Sequence, residues 1–190
     1  MSRSLQARSL TGFLWAFGEN AGVAALSLAS FVAMARLLDP ADFGVVALAS
    51  VFVVCFNLVV GSTLADGLVQ RNVIGREHCD TAFWGTVALG AGLAFVCIFA
   101  ARPIASILGE PGIAKVLPWL AAVPLAGAFG AVPTALQRRR LSFRLMALCN
   151  LTGRITGAVI GVIMAVGDFG VWSLVGQQVA TAVVANAGIL

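Results

Sequence analysis

Charged residues are scarce in this sequence. They make up 11% of its 190 residues, and hydrophobic residues make up 60%, whereas a soluble domain contains about 25% charged residues. The mean hydropathy of +0.99 is typical of a chain that crosses the membrane several times. Because about six spans of ~20 residues use most of the chain, the sequence leaves no room for a soluble domain.

Histidine and spaced cysteine pairs, from which many metal and catalytic sites are built, are also lacking. His78 is the single histidine, and the four cysteines show neither a CxxC motif nor zinc-type spacing. No Ser/His/Asp set or carboxylate pair lies at a predicted membrane face. We therefore expect no metal, no cofactor and no enzymatic activity.

Six apolar stretches predict an all-α, polytopic membrane helix bundle. The predicted spans cover residues 10–35, 43–64, 82–101, 113–136, 145–166 and 170–190, and each can cross about 30 Å of hydrocarbon as a helix. The first stretch is too long for the apolar region of a cleaved signal peptide and contains Glu19, so we expect it to remain as a span. The fourth contains Pro118, Pro124 and Pro133, which remove helix hydrogen bonds and bend the axis.

Basic residues in the predicted loops indicate the orientation. Eight of them flank one side of the membrane, namely Arg3, Arg8, Arg71, Arg76, Arg138, Arg139, Arg140 and Arg144, and three flank the other, namely Arg36, Arg102 and Lys115. This asymmetry places the N-terminus in the cytoplasm. The run Arg138–Arg140 lies between two spans, which favours a topogenic, lipid-phosphate anchor over a nucleic-acid site.

Two charges lie deep inside apolar spans, Glu19 in the first and Arg154 in the fifth. A charge at the bilayer centre costs about 2.5–3.5 kcal/mol on insertion scales, so each is expected to face something polar. Both lie nine residues after the start of their span, which is about 13–14 Å deep and near the midplane. Their equal depth and opposite sign allow an ion pair. The two charges could form a structural pair that fixes helix packing, or they could line a polar cavity.

Arg154 has polar and small neighbours on its helix. Asn150, Arg154, Gly157 and Gly161 share one face by their spacing, and Gly153 completes a GxxxGxxxG series that lets another helix approach closely. Further amides expected inside spans are Asn20, Asn57, Gln177, Gln178 and Asn186. These amides could form interhelical hydrogen bonds, or they could line one shared aqueous cavity.

An octet repeats within the chain. DFGVVALA begins at Asp42, and DFGVWSLV begins at Asp168. Each is predicted to open a span from the outer face, where an aspartate suits the helix N-terminus. Two similar helix entries and a duplicated hairpin unit both explain the repeat.

The segment ARLLDPADFG at residues 35–44 resembles a known family. It is similar to the polysaccharide transporter, or Wzx-type flippase, branch of the multidrug/oligosaccharidyl-lipid/polysaccharide exporter superfamily. Four further segments agree in order along the chain: GLVQR at 67–71, AFW at 82–84, LQRR at 136–139 and GDFGVWSLV at 167–175.

The resemblance implies a transporter that flips undecaprenyl-pyrophosphate-linked oligosaccharide across the bacterial inner membrane for O-antigen, capsule or exopolysaccharide synthesis. Such proteins have two six-helix lobes around a central cavity, so residues 1–190 are expected to be the N-terminal lobe, as a fragment without the C-terminal lobe. The implied partners are the lipid bilayer, the lipid-linked glycan, the second lobe and a polysaccharide polymerase, without nucleic acid.

The implied substrate also suggests roles for the polar residues. Arg154, with Asn150 beside it, would meet the pyrophosphate in the cavity, and Glu19 would pair with Arg154 at rest or carry a coupling proton. Arg138, Arg139 and Arg140 would gather the headgroup at the cytoplasmic rim. The alternatives are a cation-coupled drug antiporter of the same superfamily, which an arginine at the midplane disfavours, and a non-transporting structural membrane protein.

The orientation can be tested by cysteine labelling. In a cysteine-free background, Arg139→Cys should react with a membrane-impermeant thiol reagent only from the cytoplasmic side, because the basic loop is retained there. Arg36→Cys is the control and should react from the periplasm. Periplasmic labelling at position 139 would reverse the predicted topology.

Overall fold

The computed structural model describes residues 21–60, 76–139 and 143–189. Every regular element in these ranges is an α-helix, which confirms the predicted all-α class. The helices are α1 (Ala21–Ala35), α2 (Pro40–Val60), α3 (Arg76–Leu108), α4 (Gly112–Leu120), α5 (Ala122–Arg139), α6 (Phe143–Val166) and α7 (Val171–Ala187). Short turns join α1 to α2, α3 to α4 and α6 to α7. The two helices of each pair are therefore antiparallel neighbours.

The helices have the length and surface of a multi-pass membrane protein. Four stretches are long and apolar enough to cross a membrane: Pro40–Val59, Asp80–Leu108, Gly112–Gln137 and Leu145–Val166. In the described residues α1 and α7 are shorter, α7 having 17 residues. Large apolar side chains are exposed on the outside, such as Leu58, Phe99 and Ile163 at 65–67%, which suits contact with lipid rather than water.

The third predicted span is longer in the structure than the sequence indicates. Helix α3 has 33 residues, about 50 Å at 1.5 Å per residue, and continues through Pro103. The proline has no N–H for the carbonyl of Phe99, but apolar residues follow it, and in hydrocarbon a helix keeps its remaining backbone bonds internal. Arg102, which the sequence analysis places in an outer loop, therefore lies within α3.

The fourth predicted span is divided into α4 and α5 at Ala121. Pro124 offers no N–H to the carbonyl of Leu120, and the next bond, from Leu125 N to Ala121 O, is long at 3.4 Å. The short helix α4 is central to the bundle, and four of its apolar side chains are at most 1% exposed, whereas Trp119 is 64% exposed; the four are Ile113, Val116, Leu117 and Leu120. A proline-interrupted segment therefore forms the middle of the core.

Helices α6 and α7 approach closely along the glycine series. A Cβ added to Gly157 would overlap Thr181 Oγ1 and lie 2.7 Å from the carbonyl oxygen of Gln177. A Cβ on Gly153 would lie 2.8 Å from Ala185 Cβ. Gly161 lies beside Gln177 and also contacts Met34 of α1. The predicted role of the series in close helix packing is confirmed.

The two repeated octets meet at one end of the bundle. Asp42 lies in the first turn of α2, and Gly170 is the N-cap of α7. Gly170 has φ +53°, a backbone conformation that favours glycine, and the position a Cβ would take there is 3.3 Å from Asp42 Oδ2. The N-termini of α2 and α7 are thus adjacent, and the Asp42 carboxylate is placed where it favours the α7 N-terminus.

The glycine contact predicts a difference between two substitutions. Gly157→Ala should destabilise the bundle by about 1–3 kcal/mol, because its methyl group overlaps α7. Gly92→Ala in α3 is the matched control, since a Cβ there meets nothing within 4 Å, and it should be neutral or slightly stabilising through helix propensity. Thermal melting of the purified chain in detergent measures both. Equal melting temperatures for the two variants would contradict this packing.

Candidate functional site

Arg154 lies near the middle of α6 with its side chain exposed. Its Nη1 donates a hydrogen bond of 3.1 Å to the Oγ of Ser27 in α1, which is also exposed. Arg154 lies roughly 17 Å along the helix axis from the first residue of α6, at 1.5 Å per residue. A cation at this depth is costly in lipid, so this exposed face requires polar surroundings.

The structure divides the helix face on which the sequence analysis placed Arg154. Gly157 and Gly161 are buried in the contact with α7, whereas Asn150 and Arg154 remain exposed beside it. Asn150 and Arg154 therefore face outward from the bundle, one helix turn apart.

Two glutamines of α7 connect the first two helices to the bundle. Gln177 Nε2 donates to Ser30 Oγ of α1 at 2.8 Å. Gln178 Nε2 donates to Ser50 Oγ of α2 at 3.0 Å. The interhelical hydrogen bonds that the sequence analysis left open for these two amides are therefore present, and they fix the positions of α1 and α2 on α7.

Two other amides of the predicted set, Asn57 and Asn186, lie against α5, whereas Asn20 lies outside the described residues. The Asn186 carboxamide rests on Gly130, and its Nδ2 donates 2.7 Å to the carbonyl of Ala182 in its own helix. Asn57 Oδ1 is 3.2 Å from the position that a Cβ on Gly127 would take. These amides contact glycines of α5, whereas Gln177 and Gln178 bond to serines of α1 and α2. The described contacts thus divide the amides between two places in the bundle.

The other predicted site residues are placed only in part. Arg138 and Arg139 belong to the last turn of α5, and their side chains, like Glu19 and Arg140 altogether, lie outside the described residues. The pairing of Glu19 with Arg154 stays a prediction. Across the described ranges, no three His, Cys, Asp or Glu side chains come together in a way that could hold a metal ion.

Sequence reasoning did not single out the serines that meet these polar groups. Ser27 and Ser30 are three residues apart and share one face of α1, where they bond to α6 and α7 respectively. Their spacing within an apolar span was the available signal. A serine hydroxyl barely changes the hydropathy of an apolar span. Neither hydropathy nor the positions of charges and amides therefore point to these two serines.

Comparison with known proteins gives a family and relatives. A family model described as polysaccharide biosynthesis protein matches residues 33–190. The succinoglycan biosynthesis transport protein ExoT of Rhizobium meliloti (strain 1021) is 30% identical over 100% of this chain and 38% of its own length. The lipopolysaccharide biosynthesis protein WzxC of Escherichia coli (strain K12) is 21% identical over 85% of this chain and 33% of its own length. No solved structure matches the chain significantly.

The relatives are considerably longer than the region they share with this chain. The matched region covers between 33% and 38% of their length. A third relative, from Klebsiella pneumoniae, is described as an uncharacterized membrane protein in the cps region and is 21% identical over 86% of this chain and 34% of its own length. The similarity therefore concerns one part of a larger protein in each case.

Proposed function

Because the chain belongs to the polysaccharide biosynthesis protein family, we propose that it forms one lobe of a transporter for undecaprenyl-pyrophosphate-linked oligosaccharide. The proposed direction is across the bacterial inner membrane, toward the periplasm where polysaccharide is assembled. The observation that carries the proposal is the exposed Arg154 in the middle of α6, with Asn150 and Ser27 beside it.

The chemistry of the substrate explains why such a face is needed. A pyrophosphate-linked sugar is anionic and rich in hydroxyls, and its passage through hydrocarbon without polar partners costs several kcal/mol per group. A hydrated path lined by a cation lowers this cost. The guanidinium of Arg154 offers a planar set of donors that matches phosphate oxygens. Asn150, one turn away, adds an amide for hydroxyl or phosphate oxygens.

The cytoplasmic rim has a separate proposed role. Arg138, Arg139 and Arg140 would gather the headgroup before it enters the path, by the same attraction that holds basic segments at anionic membrane surfaces. Two observations support placing them at one end of the bundle. The backbone of α5 ends at Arg139, and the preceding Gln137 donates from Nε2 to the carbonyl of Ile189, just beyond α7, at 3.4 Å.

A second six-helix lobe completes the proposed transporter. An exposed arginine face cannot be covered by lipid alone without cost, and the relatives contain far more chain than this region. We propose that the second lobe stands opposite α1 and α6 and encloses the path between them. The polar face of this lobe then forms one wall of the path.

Binding of a lipid pyrophosphate tests the role of Arg154. In nanodiscs, native mass spectrometry should show that the chain retains undecaprenyl pyrophosphate in preference to the uncharged undecaprenol. Arg154→Leu should weaken this retention by at least about tenfold, since charge-assisted hydrogen bonds are worth about 1.5–3 kcal/mol each. Arg154→Lys should be intermediate, because a point charge remains but the fork is lost.

Arg36→Leu is the matched control, because it removes the same charge from the turn between α1 and α2 and should leave retention unchanged. Equal retention of both lipids, or wild-type retention by a folded Arg154→Leu variant, would refute the proposed substrate. Vesicles that contain residues 1–190 alone should bind the lipid without translocating it, and translocation there would refute the need for a second lobe.

A further inference from the structure

The hydrogen bond to Ser27 uses a particular part of the Arg154 guanidinium. The donor is Nη1, at 3.1 Å from the serine oxygen. A guanidinium carries five N–H donors in a fixed plane. With Nη1 directed at α1, the edge formed by Nε and Nη2 has no hydrogen-bond partner among the described residues and is open to another acceptor. This edge is one of the two that bind a pair of phosphate oxygens in parallel.

Ser27 contributes more than an acceptor. A hydroxyl has one donor and two acceptor lone pairs, and the bond from Arg154 uses its acceptor side. The hydroxyl proton is therefore directed away from the guanidinium. Because the Ser27 side chain is exposed, this proton can be donated to an oxygen of an anion that lies on the guanidinium.

Ser30, on the same face of α1, forms a hydrogen bond with a purely structural role. Ser30 follows Ser27 by three residues and accepts 2.8 Å from Gln177 Nε2. It is only 5% exposed, and its partner is a neutral amide of α7. Ser30 thus holds α1 on the bundle, whereas Ser27 lies at the exposed edge of the contact, next to the cation.

We propose that Ser27 is a positioning residue of the headgroup site, which turns the Nε–Nη2 edge of Arg154 toward the substrate and donates its own hydroxyl proton to the same phosphate group. The inference rests on the proposed function and assigns the phosphate moiety to this pair. A guanidinium without a fixed partner keeps its rotamer freedom, and ordering it on binding costs affinity. The bond to Ser27 removes part of that cost beforehand.

The test uses the full chain in nanodiscs with undecaprenyl pyrophosphate as the probe. Ser27→Ala should weaken binding by about tenfold, which is the effect of one lost hydrogen bond to a charged group. Ser27→Thr keeps the hydroxyl and should restore most of the affinity. Ser30→Ala is the matched control from the same helix face, and it should lower the melting temperature while leaving affinity unchanged.

A double-mutant cycle separates positioning from a merely structural role. Because the positioning role acts through Arg154 and the direct donation does not, Ser27→Ala should weaken binding less in an Arg154→Leu background than in the wild type. Wild-type affinity in Ser27→Ala, failure of Ser27→Thr to restore binding, or the same tenfold loss in the Arg154→Leu background would each overturn the inference. Loss of binding in Arg154→Leu without loss in Ser27→Ala would refute the role of Ser27 alone, whereas unchanged binding in Arg154→Leu would refute the proposed function itself.

Discussion

The close contact between α6 and α7 is the interaction on which the rest of the arrangement depends. Gly153, Gly157 and Gly161 allow the two backbones to approach until α7 covers the glycine line. Gly157 and Gly161 are buried in that contact, and Arg154 remains exposed beside it. The same contact fixes the direction of Gln177 and Gln178, which hold α1 and α2 through serine hydroxyls. The glycine contact between α6 and α7 thereby determines the directions of these polar side chains.

The bundle combines a firmly packed part with a lightly attached helix. Helix α4 is buried on its apolar face, and α6 and α7 meet along their glycines. By contrast, Ser30 and Met34 are the only residues of α1, within its described range, that are buried. Its side-chain hydrogen bonds to other described residues are those from Arg154 to Ser27 and from Gln177 to Ser30. Interhelical hydrogen bonds of this kind contribute only about 0.6 kcal/mol on average, so the described part of α1 has fewer stabilising contacts than α4, α6 and α7.

Most of the architecture could be predicted from the sequence, because hydropathy and glycine spacing report directly on helices in lipid. The all-α class and the glycine contact are confirmed, and the resemblance to Wzx-type polysaccharide transporters is confirmed by the family match and by the relatives ExoT and WzxC. The break at Ala121 was not predictable from hydropathy, since apolar residues lie on both sides of it. The extension of α3 was missed because Arg102 was assigned to a loop, although apolar residues follow Pro103. The Ser27 contact depends on how α1 lies across α6, which no local pattern contains.

The central claim is that the face of α6 bearing Arg154 meets a hydrated path rather than lipid. Spin labels at Asn150→Cys and Ile163→Cys, each in a cysteine-free background, test it by their collision rates with a water-soluble nickel complex and with oxygen. Both positions are exposed on α6, but only Asn150 shares the polar face. Collisions with the nickel complex should dominate at position 150, and collisions with oxygen should dominate at position 163. Oxygen dominance at both positions would place this face in lipid and contradict the account.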